Sequence, residues 1–145
     1  MSSTSLINQD TRIKVSSVLN RDTPSFGKQH LIDGSEETCW NSEQGLPQHI
    51  LIDFGTPATV TDIILTFQGG FVGKTCVALG STADQPNDYS VHLATFYPQD
   101  INPMQTFPIP NNNNVPIQRL KLIFEESTDF YGRITIYKLD VLGTR

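Results

Sequence analysis

The stretch Gln68-Gly69-Gly70-Phe71-Val72-Gly73-Lys74-Thr75 ends in Gly-Lys-Thr, the close of a phosphate-cradling loop. Such a loop needs Gly at its first position and a helix N-terminus after its last residue. Position 68 is Gln, and Cys76-Val77-Ala78-Leu79-Gly80 reads as a strand, so nucleotide binding is not expected. The three histidines are His30, His49 and His92, and no two have metal-ligand spacing. No Ser or Cys lies in a nucleophile-elbow sequence. Asp129 and Arg133 can pair as a strand-end ion pair or meet a partner's charge. The residues therefore point away from catalysis and toward binding.

The elements that must carry these residues are strands. Hydrophobic residues make up 37% and charged residues 17% of 145 residues, with ten Gly and nine Pro. That mixture suits short strands between turns rather than long helices or disorder. At this length a folded chain buries roughly 70% of its unfolded surface, enough for one core without staples. Alternation places Ile50, Ile52 and Phe54 on one face of a strand over residues 48–54. Gly55-Thr56-Pro57 reads as a turn, and residues 59–67 as a second, β-branched strand. Further strands are expected over 13–19, 75–80, 89–96, 117–124 and 133–142. A strand over 105–109 carries Pro108, which predicts an edge position. Asn111 to Asn114 reads as a polar loop. About eight short strands without helices between them predict an all-β, jelly-roll β-sandwich of antiparallel strands. One domain over residues 13–143 is expected, with a flexible N-terminal segment 1–12 and a tail 144–145.

Net charge is −5. Residues 1–80 hold five Lys or Arg against eight Asp or Glu, and residues 81–145 hold five against seven. No basic run appears, which disfavours nucleic acid and an electrostatic membrane anchor. Cys39 and Cys76 read as two buried free thiols. The start of the chain shows no basic-then-apolar signal pattern, and no Asn-x-Ser/Thr sequon is present. These features predict a location in the nucleus, the cytoplasm or both.

One set of segments has a pattern. Val15-Ser16-Ser17 is followed by Asp33-Gly34, Thr38-Cys39-Trp40, Asp53-Phe54-Gly55 and a closing Lys138-Leu139-Asp140-Val141-Leu142-Gly143. It resembles the coagulation factor V/VIII type C, or discoidin-like, galactose-binding-like domain over about residues 13–143. A finer resemblance rests on Glu36 to Ser42, Phe67 to Phe71, Gln105 to Pro110 and Thr128 to Arg133. These look like the small nuclear-receptor-associated proteins of animals, which consist of this domain alone. That resemblance implies a non-enzymatic, intracellular protein-binding module. Its implied partner is an orphan nuclear receptor of the testicular type, whose transactivation it represses. No Leu-x-x-Leu-Leu helix is present, so another surface must make the contact. The alternative reading is a lectin-like module binding a small glycan through the same loops.

The resemblance also implies sites. Relatives of this fold hold calcium with the Asp of the Asp-Gly turn, the following Thr and nearby carbonyls. Here those residues are Asp33 and Thr38 with the carbonyls of His30 and Ser35, and hard cations favour such oxygen sets. Lys138 stands where the family carries a Glu, which opposes a cation. The other reading is a local turn in which Asp33 and Thr38 bond backbone N–H groups. Ligand contacts are implied for loops at one end of the sandwich, here Asn20 to Gly27, Glu43 to Pro47 and Gly69 to Lys74. Arg21, Phe26, Leu46, Phe71, Val72 and Lys74 are the candidates. Their apolar members either form a binding patch or fold back over the core end. Trp40, the only tryptophan, is expected to seal the core.

Overall fold

The computed structural model describes residues 3–110 and 115–145. The polar loop expected at Asn111 to Asn114 lies outside the described residues. Among the described residues, nine antiparallel strands form two sheets: β1 (Thr4–Ser5), β2 (Arg12–Val15), β3 (Trp40–Asn41), β4 (Gln48–Phe67), β5 (Gly73–Ser81), β6 (Val91–Phe96), β7 (Gln105–Pro108), β8 (Ile117–Ser127) and β9 (Thr135–Thr144). One sheet runs β2-β4-β8-β5-β6. In the other, β9 pairs with β1, β3 and β4, and β4 pairs with β7. A one-turn helix, α1 (Thr23–Phe26), and 3-10 turns at Leu19–Arg21 and Lys28–Leu31 fill the connection from β2 to β3.

β4 belongs to both sheets. Its first half pairs with β2 and β8, and its second half with β9 and β7. The expected turn at Gly55-Thr56-Pro57 is a corner inside one continuous strand. Gly55 has φ +80° there, a conformation that suits Gly, and its N–H donates to Asp53 Oδ1 at 2.9 Å. The register shifts between Asp53 and Ala58, so the strand leaves one sheet and enters the other.

The core lies between the sheets. Alternating residues supply it: Ile50, Ile52 and Phe54 from β4, Leu120, Leu122 and Phe124 from β8, and Leu139 and Val141 from β9. Phe67 meets Phe124 edge-on at 6.0 Å between ring centroids. At the open side, Phe96 of β6 stacks on Phe107 of β7 at 4.3 Å. β7 is an edge strand pairing only with β4 among the described pairs, as Pro108 predicts. In β9 the register slips by one residue: Thr66 faces Lys138, but Phe67 faces Ile136. Tyr137 is the extra residue. The bulge puts Ile136 and Leu139 both inward and breaks the two-residue alternation of the strand expected over 133–142.

Residues near both ends join the sheets. Within the segment 1–12, expected to be flexible, Thr4 and Ser5 pair with Gly143 and Leu142, and Leu6 is buried. The tail is also tied down. Thr144 pairs with Thr59, and Arg145 donates to the carbonyls of Leu6 and Phe54. Burial of Leu6, the pairing of β1 with β9 and the Arg145 hydrogen bond to the Leu6 carbonyl together offset the freedom this segment loses. Cys76 is buried and Cys39 half-buried, both as free thiols. Burial pushes the Cys39 thiol up, and burial, then the Glu125 charge, pushes Cys76 well above the ordinary range.

Candidate functional site

The loop between β8 and β9 is built around Asp129. Its carboxylate accepts from the Arg133 backbone N–H at 3.0 Å and from Arg133 Nε at 2.9 Å. Arg133 holds the Asp129 carboxyl below its usual range, against the opposing effect of burial. Gly132 has φ +83°, and a Cβ there would lie 3.0 Å from Leu46 Cγ. A side chain at 132 is therefore both strained and crowded. This tight loop pushes two aromatics outward. Phe130 is 93% exposed and Tyr131 58% exposed, with their rings edge-on at 5.3 Å.

The neighbouring loops close on it. The Gly45 N–H donates to the Tyr131 carbonyl at 2.7 Å, which sets Leu46 beside Gly132 with 43% of its surface exposed. The Arg133 guanidinium lies over the rings of Phe71 at 5.2 Å and Tyr131 at 5.6 Å. Phe130, Tyr131, Leu46 and Phe71 thus share one end of the sandwich, with Arg133 between the rings.

Buried polar groups hold this end in place. Gln48 Oε1 accepts from the hydroxyls of Ser16 and Ser17, and Nε2 donates to the carbonyls of Glu43 and Gly45. Ser42 accepts from the Ile134 N–H at 2.8 Å and donates to Glu43. Trp40 is buried and donates from Nε1 to the Ser17 carbonyl at 2.9 Å, the core role expected for it. The Ser-Ser pair after β2, Trp40 and the 43–47 loop are one hydrogen-bonded unit.

The sequence candidates divide. Leu46 and Phe71 join the patch. Arg21 is exposed and Phe26 half-exposed on the adjoining segment, which meets the 43–47 loop where the Asn20 N–H donates to Glu43. Lys74 is exposed and pairs with Glu126 at 3.6 Å. Val72 does not line the surface: it is fully buried, and its N–H donates to Thr128 Oγ1. Val72 directly precedes β5, and its apolar side chain takes the inward position. Phe130 and Tyr131 were missed by sequence reasoning. Adjacent aromatics between Asp129 and Gly132, where an ion pair at 129 and 133 closes the turn, were the signal. The Gly-rich stretch cradles no phosphate: the N–H groups of Gly69 and Gly70 donate to Asn102 and Asp100, and a strand follows.

The Asp33 turn was the expected calcium position. Asp33 Oδ1 accepts from the Ser35 N–H at 2.9 Å, and Oδ2 from Thr38 Oγ1 at 2.5 Å. His30 Nδ1 lies 3.1 Å from Oδ2, and His30 Nε2 lies 2.8 Å from the Pro24 carbonyl. Each ring nitrogen faces an acceptor, which favours the protonated ring. The Pro24 carbonyl first, then Asp33, raise the His30 value; burial resists ionisation of Asp33, but Thr38, Ser35 and His30 outweigh it. Held this way, the residues fit a calcium ion poorly, because hydrogen-bond partners already occupy both carboxylate oxygens. Among the described residues no group of three or more His, Cys, Asp or Glu converges as a metal site.

With this fold and loop end in view, the comparisons are specific. The model for a NedA-like, galactose-binding domain of the F5/F8 type C class matches residues 30–109. The chain belongs to that family. It is 50% identical over 141 residues to the nuclear receptor 2C2-associated protein of Danio rerio, covering 97% of this chain and 96% of that one. Solved structures share the fold. An F5/8 type C domain from Bacteroides fragilis superposes with a TM-score of 0.82 at 13% identity, covering 99% of this chain and 97% of that one. The CpGH89CBM32-5 module of Clostridium perfringens, solved with GalNAc-β-1,3-galactose, gives 0.77 at 16% identity, covering 95% and 99%. The domain is thus of the discoidin-like, galactose-binding-like β-sandwich class, and its full-length relatives carry a receptor-associated name.

Proposed function

We propose that this chain is a non-catalytic, intracellular protein-interaction module. It associates with an orphan nuclear receptor, lowers receptor-driven transactivation, and acts in the nucleus, the cytoplasm or both. The receptor association rests on the half-identical relative named for nuclear receptor 2C2. The observation that supports the contact surface is the exposed pair Phe130 and Tyr131 beside Leu46. Aromatics held outward by a rigid loop are the side chains that anchor protein interfaces. The loop end needs no metal in this reading, since the Asp33 turn closes on its own donors.

Capture of purified nuclear receptor 2C2 by the immobilised chain tests the reading. Wild type should retain the receptor, and the Phe130→Ala/Tyr131→Ala double variant should lose at least about tenfold in affinity, as removal of two anchor side chains does. Equal retention by both would remove the patch from the interface, and no retention by wild type would sink the receptor reading. A receptor-driven reporter assay in cells then separates repression from association alone.

A glycan-binding reading has one supporting observation: the Phe130 and Tyr131 rings beside the Arg133 guanidinium offer apolar faces and a donor, as a sugar requires. A glycan array with and without calcium decides it. Selective binding lost on the same double substitution favours the sugar over the receptor.

A further inference from the structure

The chain carries net charge −5, but its cations are not spread evenly. Four of its ten Lys and Arg residues share the outer face of the five-stranded sheet. Arg12 and Lys14 flank the inward Ile13 on β2, and Arg119 and Lys121 flank the inward Leu120 and alternate with it on β8. Register sets them in two rows. Arg12 faces Asp53, which faces Arg119; Lys14 faces Leu51, which faces Lys121. Asp53 is the only carboxylate within these rows, and Arg119 Nε lies 3.7 Å from it. The connection from β5 to β6 forms a wall: Arg119 donates to the Thr82 carbonyl, and the Tyr89 ring sits 5.7 Å from Lys121 Nζ. The result is a groove of about 320 Å³ with Leu51 in its lining and Arg12, Lys14 and Arg119 around it. Asp10 lines the adjoining cleft with Arg12 and Asp53, Asp84 and Asp88 flank the Pro86 and Asn87 of the wall in sequence, and Glu125 lies further along β8. The Lys121 charge reaches His49 on the same face, adding to burial in lowering its value.

We propose that this groove docks an extended, acidic segment of a protein partner. Side chains two apart on a strand repeat at roughly 6.6–6.8 Å, and β2 and β8, separated by β4, stand roughly 10 Å apart. An extended chain lying along the groove repeats its own alternate side chains at the same interval. Carboxylates at alternate positions would then meet the Arg12/Arg119 row and the Lys14/Lys121 row together, over the apolar Leu51. Cations ordered on a sheet make such a match directional, and the chain's net charge of −5 disfavours the same segment elsewhere. The surface is on the sheet face, away from Phe130 and Tyr131, so it stands independently of the receptor-contact reading.

The test uses the whole chain and a short fluorescein-labelled peptide in which Glu alternates with Ser and Leu, read by fluorescence anisotropy. Wild type should bind the peptide, and binding should fall steeply with salt. The Arg12→Glu/Lys14→Glu double variant, changed only at exposed positions of an edge strand, should bind about tenfold more weakly or worse. Lys138→Glu, on the other sheet, should bind as wild type does. In wild type the peptide should raise the His49 value followed by NMR, because bound carboxylates offset Lys121. No peptide binding by wild type overturns the proposal. So does equal binding by the double variant, or an equal loss in Lys138→Glu. A single-stranded oligothymidylate that displaces the peptide at lower concentration than unlabelled peptide does would also overturn it, in favour of a general polyanion surface.

Discussion

Asp129 and Arg133 bracket the two most outward aromatics of the loop end, and their pairing is what turns Phe130 and Tyr131 to solvent. The ring of Phe71 lies under the same guanidinium. Asp129→Ala should therefore weaken receptor capture while leaving the global fold intact, because the loop loses its clamp but the core loses nothing. Capture and thermal melting measured side by side check this. Since Arg133 holds the Asp129 carboxyl low, the clamp persists above its ordinary titration range and is lost as pH falls through the depressed value.

Gln48 is a second control point. Each of its side-chain atoms is engaged, and it is 6% exposed. Gln48→Leu should destabilise by about 2–4 kcal/mol, because two hydroxyls and two carbonyls lose their partner together. Urea denaturation measures it. A cost below about 1 kcal/mol would mean that water replaces the side chain fully.

Leu6 tests the domain boundary. Leu6→Ala should cost about 2–4 kcal/mol as a buried large-to-small change. A chain trimmed to residues 13–143 should melt at a lower temperature than the whole chain, having lost Leu6, β1 and the Arg145 hydrogen bonds. Equal melting would support the domain over residues 13–143 that the sequence resemblance implies.

The histidines should give opposite pH slopes. His30 has a raised value, so its contribution is full below the unfolded imidazole value and disappears as pH rises through the folded one. His49 has a lowered value through burial and then Lys121, so its contribution is present above the unfolded value and is lost as pH falls through that value toward the folded one. His30→Gln should flatten the loss of stability on the alkaline side, and His49→Gln the loss on the acidic side. Melting temperatures across pH for the three proteins separate the two.

Calcium should not raise the melting temperature of the chain, and a chelator should not lower it. The reason is the closed hydrogen bonding of Asp33 by Ser35, Thr38 and His30. A calcium-dependent rise in melting, lost in Asp33→Ala, would show that the turn opens to take the ion.

Much of the fold was legible before any coordinates. Alternation at residues 48–54 named the inward residues Ile50, Ile52 and Phe54, because a half-buried strand repeats every two residues. Pro108 announced an edge strand, because it cannot donate to a second neighbour. Thr38 to Trp40 announced a sealed core end. Less of the site was legible. Leu46 and Phe71 were named, but Val72 was placed outside when it is buried, and Phe130 and Tyr131 were passed over. Periodicity has nothing to say inside a loop, where the direction of a side chain depends on neighbouring loops.

By itself, then, the sequence determined the strand-rich class, the inward faces of the longer strands and the absence of a local nucleophile or histidine metal motif. These are short-range properties, set by the chemistry of residues a few positions apart. Only the tertiary structure decided that one strand serves both sheets, that Thr4 to Leu6 are bound to the last strand and Arg145, and that Asp33 already has its donors. It also decided that Arg12, Lys14, Arg119 and Lys121 share a face. Those residues are far apart along an acidic chain, and only strand pairing sums their charges into one field.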